Sequence, residues 1–375
     1  RSTLMRSSAA SDVYKRQEGY TVVNVVDLES YVKGVIPSEV PSSYGMEALK
    51  AQAVCARSYA YIQMMHNKYE AYGAHVDDSV NFQVYNKQNQ TPETVAAVDE
   101  TKGQVLSYKG DIIETYYYST SYGHTGDYEA WNLDKDAYGY LQGVWVRSEE
   151  NPIDLSDEKS FLDYISNVDS ACYESDLKYF RWNTVLDFQG KDETLLHTIA
   201  DRKEHQPEAI SYYKDASKTE KTDSCSNFGS LQAIKVVKRN QSGVILELEL
   251  DFQNGAVSVQ SEYNMRAILG CGITNISLLD GSSVEMSILP SAYISIQAKG
   301  DGTYAVLGGG YGHGIGMSQN GAQKLCGQGF DYKRILNYFY QDTELTELYQ
   351  PQNMTKEEGL SLIHISEPTR LRRIS

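Results

Sequence analysis

Two prolines four residues apart constrain this chain most. Residues 31–61 read YVKGVIPSEVPSSYGMEALKAQAVCARSYAY, with Glu39 between Pro37 and Pro41. Proline removes a backbone donor and pushes the residue before it toward extended backbone. A regular helix across Glu39 is therefore not expected, and the acid is expected on a stiff, irregular loop. A helix is expected from about Gly45 to about Asn67, with Ser42 and Ser43 as the available N-caps. Along it Ala48, Ala51, Ala53, Ala56 and Ala60 leave little side chain, so other backbone can approach closely. An acid on a rigid loop at the mouth of a helix is a candidate general acid. The competing reading is a solvated loop carboxylate.

Strand and helix patterns alternate through the rest. Tyr20 to Val26 reads as a strand, and Asp27 is placed to cap a short helix, Leu28 to Lys33, that Gly34 ends. Thr91 to Thr101 reads as a helix with proline at its start. Gln104 to Tyr108 and Ile112 to Tyr118 read as a hairpin across Lys109 and Gly110. Ala233 to Lys238 and Val244 to Asp251 read as a second hairpin across Ser242 and Gly243. Ala292 to Ala298 and Tyr304 to Gly308 are further strands, and Asp331 caps a helix over Tyr332 to Tyr340. The class this predicts is α+β. Its strands are mainly antiparallel, with a long Ala-rich helix near the N-terminus and a Gly-rich loop followed by a helix near the C-terminus.

Both ends look foreign. Asp12 to Gln17 (DVYKRQ) and Leu360 to Ile365 (LSLIHI) can be encoded by one nucleotide run and its reverse complement, as a translated transposon-end sequencing adapter would be. Residues 1–17 and 360–375 are therefore set aside from fold reasoning. Residues 18–345 are expected to form one large domain with a variable insertion or mobile surface lobe at about 190–226, and 346–359 a tail. The whole chain carries 34 basic and 50 acidic residues, a net charge of −16. The set-aside ends hold seven of the former and two of the latter, leaving 27 against 48, a net charge of −21. Such a chain has no electrostatic case for nucleic acid. Five scattered cysteines form no CxxC or Cys/His cluster, so no zinc signature is present; one disulfide, Cys172 with Cys225, is a possibility. No segment reads as a transmembrane helix. The chain has 30 tyrosines; most suit strands, and their amphipathic rings also suit sugars.

Residues 31–61 resemble the signature of the stage II sporulation protein D family, which includes the amidase enhancers. Tyr31, Gly34, Glu39, Pro41, Leu49, Lys50, Ala51, Gln52, Ala53, Ala56 and Arg57 fill it. A second stretch, Ser119 to Trp131 (STSYGHTGDYEAW), resembles the family's STSGGxT element, with Tyr122 in place of a small residue. A third, Gly308 to Gln323, matches its Gly-aromatic-Gly-His-Gly-x-Gly-Met-Ser-Gln element at Gly310, Tyr311, Gly312, His313, Gly314, Gly316, Met317, Ser318 and Gln319. Arg266, Leu269 and Gly270 match a shorter element, and Tyr179 to Trp182 anchors an otherwise variable middle. Where members often carry a Cys/His zinc cluster, this chain has Asn81 and Phe82, followed by Gln83 and Tyr85. The expectation is no metal and no cofactor, with Phe82 supplying apolar packing instead.

The resemblance implies a lytic transglycosylase acting on peptidoglycan glycan strands, on the outer side of the membrane, with Glu39 as acid and then base. Burial between the prolines and aromatic neighbours is expected to raise its pKa. The alternative is a non-catalytic wall-binding module that activates an N-acetylmuramoyl-L-alanine amidase. The net negative charge means that wall contact has to come from a local cleft. Substrate contacts are expected from Arg57, Ser119, Ser121, His124, Tyr311, His313, Ser318 and Gln319, with both Gly-rich signatures converging on the Glu39 loop. Two of these carry open alternatives: the Ser119–Ser121 hydroxyls as self-bonded turn groups, and Arg57 as a structural anchor. Ser318 is also placed to cap the helix Gln319 to Cys326. A Ser318/His313 hydrolase is disfavoured, since nothing in a Gly-rich run brings the two together.

Overall fold

The computed structural model describes residues 10–16, 19–77, 82–85, 89–149, 152–348 and 362–367. Asn81, most of the two set-aside ends and the tail beyond 348 lie outside them. Helices and mainly antiparallel strands are mixed along the chain, in the expected α+β class. The chain divides into two compact units, one of residues 1–116 with 325–375 and one of residues 117–324. No helix among the described residues is long and apolar enough to cross a membrane.

Three helices carry the core of the first unit, which also holds the helix Tyr332–Phe339 capped by Asp331. Helix α1, Leu28–Glu39, starts at Asp27, whose Oδ1 accepts from Ser30 N at 3.0 Å. It runs through both residues expected to break it. Gly34 is not a stop: a Cβ there would lie 2.4 Å from the Tyr85 ring, so glycine is needed for that ring's approach. Pro37 lies in the last turn and forfeits one backbone bond, while Val40 N still reaches Ile36 O at 3.0 Å. Pro41 then holds Val40 extended (φ −137°, ψ 143°) and the helix ends. Glu39 is therefore the last residue of a helix rather than part of an irregular loop.

Helix α2, Met46–His66, has the expected span. Its N-cap is Gly45 at φ 92°, while Ser42 and Ser43 belong to a 3-10 turn, Ser42–Tyr44. Helix α3, Pro92–Glu100, starts on a Thr91–Thr94 capping box. Leu28, Tyr31, Val32 and Ile36 of α1 pack with Leu49, Ala53, Ala56 and Ala60 of α2. Arg57, with 0% exposure, sits inside this core. Its Nε and Nη2 hold the Glu29 carboxylate at 3.0 and 2.8 Å. Nη1 donates to Gln104 O at 3.0 Å, Nη2 to Val98 O at 3.2 Å. Gly103 N donates to Glu29 Oε1 at 3.0 Å. One ion pair thus ties α1, α2, the end of α3 and the strand Gln104–Tyr108 together.

Gln104–Tyr108 pairs with Asp111–Ile112 across Lys109 and Gly110, whose φ of 52° and 93° suit a tight hairpin. The second strand stops there, short of the expected Tyr118. Glu344–Glu347 takes the other edge. Gly19–Asp27 is flanked by Ala10–Arg16 and Leu362–Glu367, both from the ends set aside above. A strand with two open edges accepts whatever extended backbone reaches it.

The second unit carries two five-stranded antiparallel sheets. One is ordered Leu231–Arg239, Ile245–Phe252, Gly255–Val259, Ile210–Tyr213, Lys221–Thr222. The other runs Ser283–Val284, Ile273–Leu278, Trp182–Asp187, Thr303–Gly308, Ile294–Ala298. The stretch expected as a mobile lobe at 190–226 is instead regular structure. It holds the helix Asp192–His205 and two strands of the first sheet, and it buries Leu195, Ile199, Ile210 and Tyr212 in the unit's core. All five cysteines are free thiols, so the Cys172–Cys225 disulfide is not formed. Cys172 lies beside the Tyr164 hydroxyl and Cys225 beside Leu196 O.

Arg57→Ala leaves the Glu29 carboxylate buried without its cation, a change that costs roughly 3–5 kcal/mol. The first unit is expected to lose that much in denaturant unfolding, with much of it recovered when Glu29→Leu is added to Arg57→Met. A single variant as stable as the parent contradicts this assignment.

Candidate functional site

Glu39 closes α1 in a frame of aromatic side chains. Its Oε1 accepts from Val84 N at 2.8 Å, and the side chain is half-buried. Tyr31 and Tyr85 stack beside it, ring centroids 5.5 Å apart and 7° from parallel. Phe82 packs into the same core and against Tyr69 at 5.4 Å, the apolar role expected of it. The Tyr69 hydroxyl donates to Asp77 Oδ2 at 2.8 Å. The Tyr31 hydroxyl is buried with no hydrogen-bond partner among the described residues, and burial holds its pKa well above the ordinary tyrosine value. It stays a neutral donor. The Glu39 carboxyl lies at the C-terminal, negative end of the α1 dipole, and the Val84 N–H donates to it.

Arg57 is no substrate ligand. It has no exposed surface, and its donors are spent on Glu29 and backbone carbonyls. The anchor reading of this residue is the correct one.

The second and third signatures meet within the second unit. Tyr117–Tyr118 pairs in parallel with Met317–Ser318. Thr120 and Tyr311 exchange two backbone bonds of 3.1 and 2.8 Å. This needs glycine at Gly310 (φ 82°), where a Cβ would lie 2.9 Å from Thr120 O. Behind the bridge lies a carboxylate that no sequence pattern marks. Glu174, fully buried, accepts from Ser121 N at 3.0 Å, from Ser318 Oγ at 2.7 Å and from Ser121 Oγ. Burial pushes its pKa up to about 7, against the pull of these donors.

Ser121 and Ser318 are accordingly internal struts. Ser318 Oγ also accepts from Gly321 N at 3.1 Å, the expected cap of the helix Gln319–Gly327. His124 is buried too. Its Nδ1 donates to Thr125 O at 2.6 Å, its ring meets Trp145 edge-on at 4.6 Å, and burial pushes its pKa down to about 4. His313 Nε2 donates to Tyr117 O at 2.9 Å while Nδ1 accepts from Ile315 N at 3.1 Å; burial pushes it down to about 4 as well. With both ring nitrogens engaged by backbone and Ser318 bound to Glu174, a Ser318/His313 nucleophile has no basis. Tyr122, the large residue in a small one's place, is buried. It stacks on Tyr293 at 4.5 Å, and its hydroxyl donates to Ser242 O at 2.6 Å. The half-buried members are Ser119, His313 and Tyr311, the last stacked on Tyr179 at 4.4 Å. Gln319 is 8% exposed beside them.

A helix-terminal Glu between prolines and two glycine loops that interlock around serines are thus the marked features of this α+β protein. A family model described as stage II sporulation protein matches residues 16–108, and one described as a domain of unknown function matches residues 125–316. The first match lies in the first unit and the second in the other. The amidase enhancer of Bacillus subtilis (strain 168) is 29% identical over 329 residues, covering 84% of this chain and 40% of that protein. Stage II sporulation protein D of the same organism is 26% identical over 360 residues, covering 92% and 81%. That of Bacillus amyloliquefaciens is 26% identical over 362 residues, with the same coverage. The chain belongs to the stage II sporulation protein D and amidase enhancer family.

Stability should report the buried Glu174. It holds its proton to about 7 when folded, against about 4.5 ordinarily. Its contribution is fully present below the ordinary value and is lost as pH rises through about 7. His124 and His313 act oppositely: each lies at about 4 rather than 6.5, so each contributes above 6.5 and is lost as pH falls toward 4. Glu174→Gln is expected to steepen the rise of urea-unfolding stability between about pH 4.5 and 6.5 and to abolish the fall from about 6.5 to 7. Superimposable pH profiles for variant and parent would contradict a buried, titrating Glu174.

Proposed function

We propose that this chain is a lytic transglycosylase of bacterial peptidoglycan, acting outside the cytoplasm in cell-wall remodelling such as sporulation engulfment, with Glu39 as general acid and then base. The observation that carries the reading is the Glu39 carboxyl. It is held at a helix terminus by one backbone N–H, amid aromatic rings, inside the segment matched to the sporulation protein. Glycoside cleavage requires a proton for the leaving oxygen and relief of an oxocarbenium-like state. Glu39 gives its proton to the bridging oxygen as the bond to muramic acid C1 breaks. The sugar's own 6-hydroxyl then adds to C1, and its proton returns to Glu39. The product is a 1,6-anhydro end, and no second carboxylate is needed. Ser119, Tyr311 on Tyr179, His313 and Gln319 are proposed to contact glycan, with Ser121, His124 and Ser318 shaping that surface from behind.

A second reading has its own support. The 29% identical Bacillus subtilis relative is named an amidase enhancer, which favours a wall-binding partner of an N-acetylmuramoyl-L-alanine amidase. Glu39→Gln separates the two. The exchange keeps shape and acceptor capacity but removes the transferable proton. On glycan stripped of stem peptides, turnover is expected to fall roughly 10²–10⁴-fold with KM little changed. Near-parental release of anhydro-muramic ends by the variant would remove Glu39 from the role. A parent protein that binds glycan without cleaving it would leave the enhancer reading.

A further inference from the structure

We propose that the second unit carries a saccharide subsite of its own, in a cavity of about 450 Å³ around Trp131 and Gln260. The proposal rests on the glycan reading of the chain but not on the chemistry of Glu39.

Four parts of the unit form this cavity. The 3-10 turn Tyr128–Trp131 brings Tyr128, Trp131 and Asn132. The turn Pro207–Ala209 brings Glu208, and the residues before the helix Glu262–Gly270 bring Gln260 and Ser261. Leu246 and Glu247 come from the long hairpin. Its volume lies in the range of small-ligand pockets, roughly 300–1,000 Å³. Half-buried Tyr128 and Trp131 offer apolar ring surface with a polar edge. Exposed Asn132 and Gln260 each offer an amide that both donates and accepts, and exposed Glu208 accepts. Apolar ring surface beside planar amide and carboxylate groups matches a pyranose, which has C–H faces and an equatorial rim of hydroxyls. The amides also match an acetamido substituent, in both its N–H and its C=O.

Two further features set the cavity apart from an ordinary surface dent. Ser261 has φ 69° and ψ 128°, a strained backbone for a non-glycine residue. It is held there by Gln260 N donating to Ala209 O at 2.7 Å and by Met265 N donating to Ser261 O at 3.2 Å. Those bonds fix one cavity wall. Trp131 also lies against His313, ring centroids 5.1 Å apart, so the cavity adjoins the glycine-loop cluster without sharing its serines. Charge selects among sugars: Glu247 is paired with Lys218 at 2.9 Å, and Glu129 and Glu208 still outnumber Lys238 on the lining. A neutral N-acetylhexosamine fits this field, and a sugar acid is repelled.

The test uses the full chain and N,N′-diacetylchitobiose as the neutral probe, followed by amide chemical-shift mapping and tryptophan fluorescence. Saturable shifts at Asn132, Gln260 and Ser261 are expected, with Trp131→Ala and Gln260→Ala each weakening binding about tenfold or more. Because Trp131→Ala could disturb packing on His313, the exposed Gln260→Ala carries the result if the former unfolds. A glucuronic-acid disaccharide is expected to bind at least tenfold more weakly; equal binding overturns the assignment to neutral sugars. Shifts that miss these residues, or unchanged affinity in a folded Gln260→Ala variant, overturn the subsite. Release of anhydro-muramic ends is assayed in parallel. Cleavage without chitobiose binding at the cavity removes the subsite alone, and binding there without cleavage removes the lytic chemistry alone.

Discussion

The first unit depends on one buried ion pair. Arg57 and Glu29 lie on different helices, 28 positions apart, and neither could be buried alone at tolerable cost. Together they leave few donors idle: the guanidinium serves a carboxylate and the ends of two other elements, and the carboxylate also takes the Gly103 N–H. The pairing fixes the rotation of α1 about its axis. A helix held in one rotation presents its last residue in one direction, and that residue is Glu39. The placement of the candidate acid is thus set ten residues away from it, by a contact that touches no substrate.

The second unit solves a similar problem with a carboxyl of shifted acidity. Two glycine loops remote in sequence are stitched by backbone bonds between Thr120 and Tyr311, and both lean on Glu174 through Ser121 and Ser318. Glycines at Gly310 and Gly312 allow the close approach, since a Cβ at the first would crowd Thr120 O and at the second the Tyr118 side chain. The hydroxyls that resemble sugar ligands in the sequence are used inward. Beside these struts lie half-buried rings: Tyr311 on Tyr179, and His313 between Tyr118 and Trp131.

Much of this was readable from sequence where the signal is local. The α+β class, the spans of α2 and α3, the Val244–Asp251 hairpin and the caps at Asp27, Ser318 and Asp331 follow from periodicity and capping chemistry. Local rules failed where packing overrode them. Gly34 reads as a helix stop, yet it serves the Tyr85 ring. Pro37 reads as a break, yet in a last turn it forfeits only one bond. The charged stretch after Gly190 hides Leu195 and Ile199, one helical turn apart, too sparse a stripe to stand out among so many charges. Glu174 was illegible altogether, because its partners are 53 and 144 residues away and nothing beside it is distinctive. Arg57 gave one unused clue. A cation on a helix of small residues that is buried on nearly every side has to find a buried acid.

The proposed chemistry requires that this chain break glycan without water. Digestion of peptide-free glycan by the full chain in heavy-oxygen water, with the new ends read by mass spectrometry, tests that directly. Anhydro-muramic ends free of the heavy isotope are predicted, since the sugar's own hydroxyl closes the ring. Reducing ends carrying the heavy isotope would make the protein a hydrolase and contradict the account.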